Sequence, residues 1–237
     1  AFNTQVIQDL QTAFTDLGHD DRLHGIVLTG EGASFSAGAD IQAMKEAGTL
    51  TEEQNLNDAL RLTNLLHTIN TCPCPVIARV NGTAMGGGLG LVAVSDIAIA
   101  AEHARFAFSE VKLGIAPAMI SPYVIRKIGE TNARALFVTG ERFSAARAQA
   151  IGLLHAVVPA QHLDEAVQGA INELLTSAPH ALRVCKQLAT TVGGMSLEQA
   201  RQFTAETITA LRAGEEAQEG LSAFLEKRRA RWIIHTH

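Results

Sequence analysis

Along the first hundred residues, short unbroken apolar runs alternate with stretches in which apolar residues return every three or four positions. Gly25-Ile-Val-Leu-Thr29, Val76-Ile-Ala-Arg-Val80 and Asp96-Ile-Ala-Ile-Ala100 are runs of the first kind. Each is short, rich in Ile and Val, and bounded by breakers, so each predicts a strand covered on both faces. Phe106-Ala-Phe108 and His155–Val158 predict two more. Val6, Ile7, Leu10, Phe14 and Leu17 predict a helix from Asn3 or Thr4 to Gly18. Leu56, Leu60, Leu65, Leu66 and Ile69 predict another over 52–69, closed by Pro73 and Pro75. Asp40 is placed to cap a short helix opening at Ile41, and a further helix is expected near 87–94.

From about residue 120 the pattern turns helical. Leu163, Ala166, Val167, Ala170, Ile171, Leu174 and Leu175 repeat at 3.6-residue spacing, and helices are expected over 180–192, 196–213 and 215–228. The fold class is therefore α/β, with a mostly parallel sheet in residues 1–175 and a helical module in 176–237.

Composition narrows the partners. The chain has 237 residues, a net charge of −5 and 47% hydrophobic residues, with few aromatics. No basic stripe is present, so nucleic acid is not an expected partner. No apolar run approaches the roughly 18 residues that span a bilayer, and no secretory signal opens the chain, so no membrane partner is expected. Cys72 and Cys74 frame Pro73 and Cys185 stands alone, which points to reduced thiols and a cytoplasmic setting. Only His235 and His237 lie close together, and no metal site is expected. Lys227, Arg228, Arg229 and Arg231 form the one basic cluster, either a solvated helix end or an anion contact.

The informative stretch is Gly82-Thr-Ala-Met-Gly-Gly-Gly-Leu-Gly-Leu-Val-Ala-Val-Ser-Asp96. A dinucleotide fingerprint fits poorly, because Gly86 does not follow directly on the strand ending at Val80 and the helix after it is short. A second reading is an anion hole, in which bare backbone N–H groups at a helix start polarise a carbonyl. Ser36-Ala-Gly-Ala-Asp40 offers a second loop of the same kind, also after a strand and before a helix. From spacing alone, two tight turns packing helices on strands account for these residues equally well.

Taken together, Phe35-Ser-Ala-Gly-Ala-Asp-Ile41, the V-N-G-x-A-x-G-G-G of 80–88, the D-I-A-I-A-A-E-x-A-R-F of 96–106, the S-E-V-K-L-G-I-x-P of 109–117 and the T-G-E-R-F-S-A stretch from Thr139 resemble the crotonase, or enoyl-CoA hydratase/isomerase, superfamily. The likeness runs from Ala1 to Lys227. It implies a spiral of repeated ββα units, a C-terminal helical trimerisation module, and assembly as homotrimers or homohexamers. It implies an acyl-CoA thioester as substrate, with coenzyme A part of that substrate and no separate cofactor. An oxyanion hole maps onto the N–H groups of Ala39 and Gly87. Ser36, Ala37, Ala39, Asp40, Ile41, Gly86 and Gly87 map onto the substrate and CoA site, and Phe224 and Lys227 onto positions that approach the CoA of a neighbouring subunit. Relatives carry a strand hairpin ahead of the Ala1-Phe-Asn3 stretch, so residues upstream of Ala1 are expected.

Hydratases of this superfamily commonly carry two glutamates. At the first position this chain has Gly90; the second is Glu110, expected to be partly desolvated between Phe108 and Leu113 with a raised pKa. A gain of activity on restoring a glutamate at 90 would show that the pocket lacks only that base. Gly114–Pro122 and Val124–Gly129 look closest to bacterial methylglutaconyl-CoA hydratase-like sequences, which favours a hydratase whose substrate carries its own second carboxylate or whose water is held by Glu110. The alternatives are a Δ3,Δ2-enoyl-CoA isomerase with a single glutamate, or a CoA-thioester binder without hydratase activity. Lys112, Arg126 and Lys127 are candidate partners for a distal carboxylate. Pro117-Ala-Met-Ile120 departs from the glycine-rich turn that many hydratases carry there.

Overall fold

The computed structural model describes residues 2–233, so His235 and His237 lie outside the described residues. Helix α1 (Thr4–Gly18) is capped by the Asn3 side chain, which accepts a hydrogen bond from Val6 N. Strands β1 (Ile26–Thr29) and β2 (Ser34–Ser36) lead to helices α2 (Ile41–Ala47) and α3 (Glu52–Thr71). The next unit is β3 (Val76–Val80), β4 (Thr83–Met85) and α4 (Gly87–Val94). Then follow β5 (Ile97–Ala101), β6 (Arg105–Ala107), a 3₁₀ turn over Ser109–Leu113 and α5 (Ser121–Thr139), broken at Gly129. The core closes with β7 (Phe143–Ser144), α6 (Ala145–Ala150), β8 (Ala156–Val158) and α7 (Leu163–Leu175).

The eight strands separate into two four-stranded sheets. β1, β3, β5 and β8 form one, in that order and all parallel; β2, β4, β6 and β7 form the other, with only β7 antiparallel. Each of the first three repeats sends one strand to each sheet before its helices, which is the ββα spiral; in the last, α6 stands between β7 and β8. The short apolar runs in the sequence became the first sheet, with Val76, Ile77, Ala78 and Val80 fully buried. The expected strand at 106–108 is β6, one residue earlier. β2, β4 and β7 carry no comparable pattern, being two or three residues long and mixing Ser, Thr and Ala with single large residues.

Helices α8 (Pro179–Thr191), α9 (Leu197–Ala213) and α10 (Glu215–Leu225) complete the chain. Arg183 of α8 donates to the carbonyls of Gly18 and Asp20 at the end of α1. Lys186 reaches Asp96 Oδ2 at 2.7 Å and the Cys74 carbonyl at 3.2 Å, while the same Asp96 oxygen accepts from Val76 N. One carboxylate therefore holds together the start of β3, the turn into β5 and α8.

The expected helix over 215–228 ends at Leu225. Glu226 caps it, Lys227 takes a left-handed conformation at φ 55°, and Arg228 N returns to the Ala223 carbonyl. This Schellman closure reverses the chain. Arg228 then pairs with both oxygens of Glu219, and Arg231 joins the same carboxylate, which is held down to about 2 chiefly by the Arg228 hydrogen bonds. Neither reading of the basic cluster accounts for Arg228 and Arg231: they fix the reversed tail.

The Lys186 pair yields a stability prediction. Its side chain is 7% exposed, but that of Asp96 keeps 27%. Lys186→Met is expected to lower unfolding free energy by about 2–3 kcal/mol, at or just below the range for breaking a fully buried pair, as measured by urea titration.

Candidate active site

A cavity of ≈ 100 Å³ opens where three segments meet: the loop after β2, the start of α4, and the 3₁₀ turn with the chain leading into α5. Ser109 and Glu110 are the polar side chains among its lining residues; the rest of the wall is glycine or apolar, including Leu62, Met85, Leu113 and Ile120. Of the residues expected to form a site, Ala37, Ala39, Ile41, Gly86, Gly87 and Glu110 border it.

The first loop is set by Phe2. Its N–H donates to the Gly38 carbonyl at 2.8 Å and its carbonyl accepts from Asp40 N at 2.9 Å. In this parallel bridge the groups flanking Ala39 turn toward Phe2, so the Ala39 N–H turns the other way. The Phe2 ring lies against Gly87 of the second loop, where a Cβ would come within 3.4 Å of it. Gly38, at φ 92°, brings the two loops together, since a Cβ there would stand 3.1 Å from the Met85 carbonyl. Gly87 opens α4, and its N–H belongs to the first turn, which has no intrahelical acceptor. Phe2 was not singled out from the sequence; its role depends on a backbone pairing that no periodicity announces.

Gly86 sits at φ 49° and ψ −121°. A Cβ on it would meet Glu110 Oε1 at 2.9 Å, so the carboxyl lies directly on the glycine's bare backbone. Glu110 Oε2 is buried without a hydrogen-bond partner. Burial pushes the Glu110 pKa up, against a smaller lowering by its own backbone N–H. The expected desolvation of this carboxyl is thus present, and Phe108 beside it is fully buried.

Other expected residues fall elsewhere. The Asp40 carboxylate accepts from Gln42 N and Ala43 N, capping α2 as its position implied. Ser36 packs on Gly88 behind the cavity wall, and its Oγ accepts from Gly38 N. Phe224 and Lys227 lie on or after α10, outside this cavity, with Phe224 82% exposed. Lys112, Arg126 and Lys127 are not among the lining residues. Lys127 is turned inward instead, donating to the Ser95 carbonyl, with its pKa lowered by burial.

The sequence leaves open what occupies the space over Gly90: a Cβ there would meet Ile120 Cγ2 at 2.5 Å and Leu66 Cδ2 at 3.1 Å. That space is filled with hydrocarbon. A glutamate restored there has no room unless Ile120 leaves. The unusual Pro117-Ala-Met-Ile turn is what delivers Ile120 to that place, as the residue capping α5.

Comparison with known proteins accords with this geometry. A profile of the enoyl-CoA hydratase/isomerase family matches residues 1–234. The chain is 33% identical to the enoyl-CoA hydratase AKT6-1 of Alternaria alternata, over all of this chain and 79% of that one. An enoyl-CoA hydratase structure from Shewanella pealeana superposes with a TM-score of 0.93 at 39% identity, covering 98% of this chain and 87% of the other. An enoyl-CoA hydratase/isomerase from Marinobacter aquaeolei gives 0.94 at 32% identity, covering 99% and 91%. The spiral is the crotonase fold, the acyl-CoA class of substrate is consistent with it, and the chain belongs to the enoyl-CoA hydratase/isomerase family.

Proposed function

We propose that this chain hydrates an α,β-unsaturated acyl-CoA thioester, with Glu110 as its one acid–base group. The observation that carries the reading is the buried, unpartnered Glu110 Oε2 on an apolar cavity wall beside two loops with free-facing peptide N–H groups. The thioester oxygen accepts from Ala39 N–H and Gly87 N–H, which draws electron density from the C2=C3 bond. Water oxygen bonds to C3 while the Glu110 carboxylate takes one of its protons, and the π pair moves into the enolate held by the two amides. Glu110 then returns that proton to C2, leaving the 3-hydroxyacyl thioester and the original carboxylate. One such amide donor is typically worth about 3 kcal/mol of barrier. A raised pKa makes Glu110 a stronger base for the first transfer. Coenzyme A enters as part of the substrate, and the step needs no other cofactor.

The acyl group we favour is branched or glutaconyl, supported by the likeness of Gly114–Pro122 and Val124–Gly129 to methylglutaconyl-CoA hydratase-like sequences. Since no cation is found among the lining residues, a distal carboxylate would lie toward the cavity mouth. A second reading, Δ3,Δ2-enoyl-CoA isomerisation, is favoured by Ile120 and Leu66 over Gly90, which leave one carboxylate to carry a proton between C4 and C2. We also infer assembly as a trimer or hexamer in which Phe224 and Lys227 approach the CoA of a neighbouring copy. The exposed Leu221, Phe224 and Leu225 on and beside one face of α10 support it.

Full-length protein offered 3-methylglutaconyl-CoA, crotonyl-CoA and a 3-enoyl-CoA is expected to add water to the first most rapidly, seen as loss of the conjugated thioester absorbance. Double-bond migration without water uptake would establish the isomerase instead. Glu110→Gln is expected to lower kcat by about 10³-fold, mid-range for removal of one acid–base group, with CoA-thioester binding retained.

The kcat/KM profile gives a separate check. Glu110 acts first as a carboxylate, and its folded-state pKa is raised, so activity rises with pH through a midpoint above the ordinary glutamate value of about 4.3. The linked stability has the opposite slope: the raised group favours the fold below its unfolded pKa and loses that contribution as pH climbs through the folded one. Thermal melts of wild type and Glu110→Gln should therefore converge in acid and separate toward neutrality, with the variant the more stable.

A further inference from the structure

Gly87 and Gly90 lie on one face of α4, because residues three apart stack along a helix. At 1.5 Å rise per residue, position 90 is just under one turn, about 4.5 Å, deeper than the Gly87 amide. The cavity should reach that depth, yet Gly90 is not on its wall. Ile120 stands there instead, 2% exposed, with Leu66 of α3 closing the other side. Its backbone is pinned at the head of α5, where its carbonyl accepts from Tyr123 N and Val124 N.

We propose that Ile120 is the specificity-determining floor of the acyl site. Its branched side chain occupies the volume into which any side chain at position 90 would project, and so sets how much acyl group fits beneath Gly87 and Glu110. A hydrocarbon floor also leaves Glu110 the one ionisable side chain among the cavity's lining residues. The pairing runs both ways: a glycine is required at 90 because Ile120 is there, and a larger residue at 90 requires a smaller one at 120. The inference rests on the acyl-CoA reading for its ligand, but its packing half stands on the Gly90–Ile120 contact alone.

Two measurements test it. Gly90→Ala places a Cβ against Ile120 and is expected to lower Tm by about 4–10 °C; in the Gly90→Ala/Ile120→Ala double variant that penalty should disappear relative to Ile120→Ala alone. Additive melting shifts would overturn the pairing, whether or not the protein turns over any thioester. Binding of butyryl-CoA and hexanoyl-CoA, saturated and unreactive, is then compared by calorimetry. Ile120→Ala is expected to shift their affinity ratio about tenfold toward the longer chain, and Ile120→Val by less. Equal losses for both ligands would reduce Ile120 to a structural residue. A wild-type chain that binds neither would defeat the acyl-CoA reading, while the melting cycle still decides the packing.

Discussion

The parallel bridge between Phe2 and the loop around Ala39 is the contact on which the site depends. By engaging Gly38 O and Asp40 N it leaves the Ala39 amide facing the opposite way, and the same residue's ring supports Gly87. Two segments far apart in the chain are thereby held in one arrangement without any side chain that itself performs chemistry. Gly38 and Gly86 allow the close approach, each at positive φ where a Cβ would meet backbone or the Glu110 carboxyl. Preorganised backbone dipoles are effective in such a place because they do not reorient during reaction and water does not screen them.

That arrangement has an energetic counterpart in Glu110. Its carboxyl rests on bare glycine backbone with one oxygen unpartnered, a condition a folded protein normally avoids because burying an unsatisfied polar atom is costly. The surrounding structure supplies the compensation: fully buried Phe106 and Phe108 pack with Phe143 and Phe137 beneath the 3₁₀ turn, and β6 anchors its start. Stability is surrendered locally at this carboxyl, and recovered in the aromatic layer around Phe108.

Much of this was legible in the sequence. The first sheet was, because β3 and β5 are buried on both faces and so read as continuous apolar runs; β1 reads the same way but is an edge strand, with Val27 40% exposed rather than covered. Helices α1, α3, α7 and the opening of α2 at Asp40 were, because amphipathic periodicity and capping are local. The second sheet was not: Ser34-Phe-Ser36 and Thr83-Ala-Met85 are strands by virtue of their neighbours. The candidate carboxylate at 110 and the glycine at 90 were found from the family likeness, and the raised pKa from the apolar residues around Glu110. What filled the space over Gly90 could not be read, since Ile120 comes from a turn thirty positions away whose path no local rule specifies. Nor could the fate of Arg228, whose partner Glu219 becomes a neighbour only once Lys227 reverses the chain.

The alternation of strands between the two sheets constrains how the molecule comes into being. Because every repeat contributes to both layers, neither sheet is a contiguous piece of polypeptide, and no cut through residues 26–158 yields a fragment owning a finished hydrophobic layer. All three neighbour pairs in the first sheet, and two of three in the second, are parallel and join strands many residues apart, so loop closure must precede much of the reward. The core is thus expected to assemble slowly and in one cooperative event. A nascent chain, emerging in order, would have to hold its early strands exposed until the later ones arrive, which makes the interval of synthesis the period of greatest exposure to aggregation.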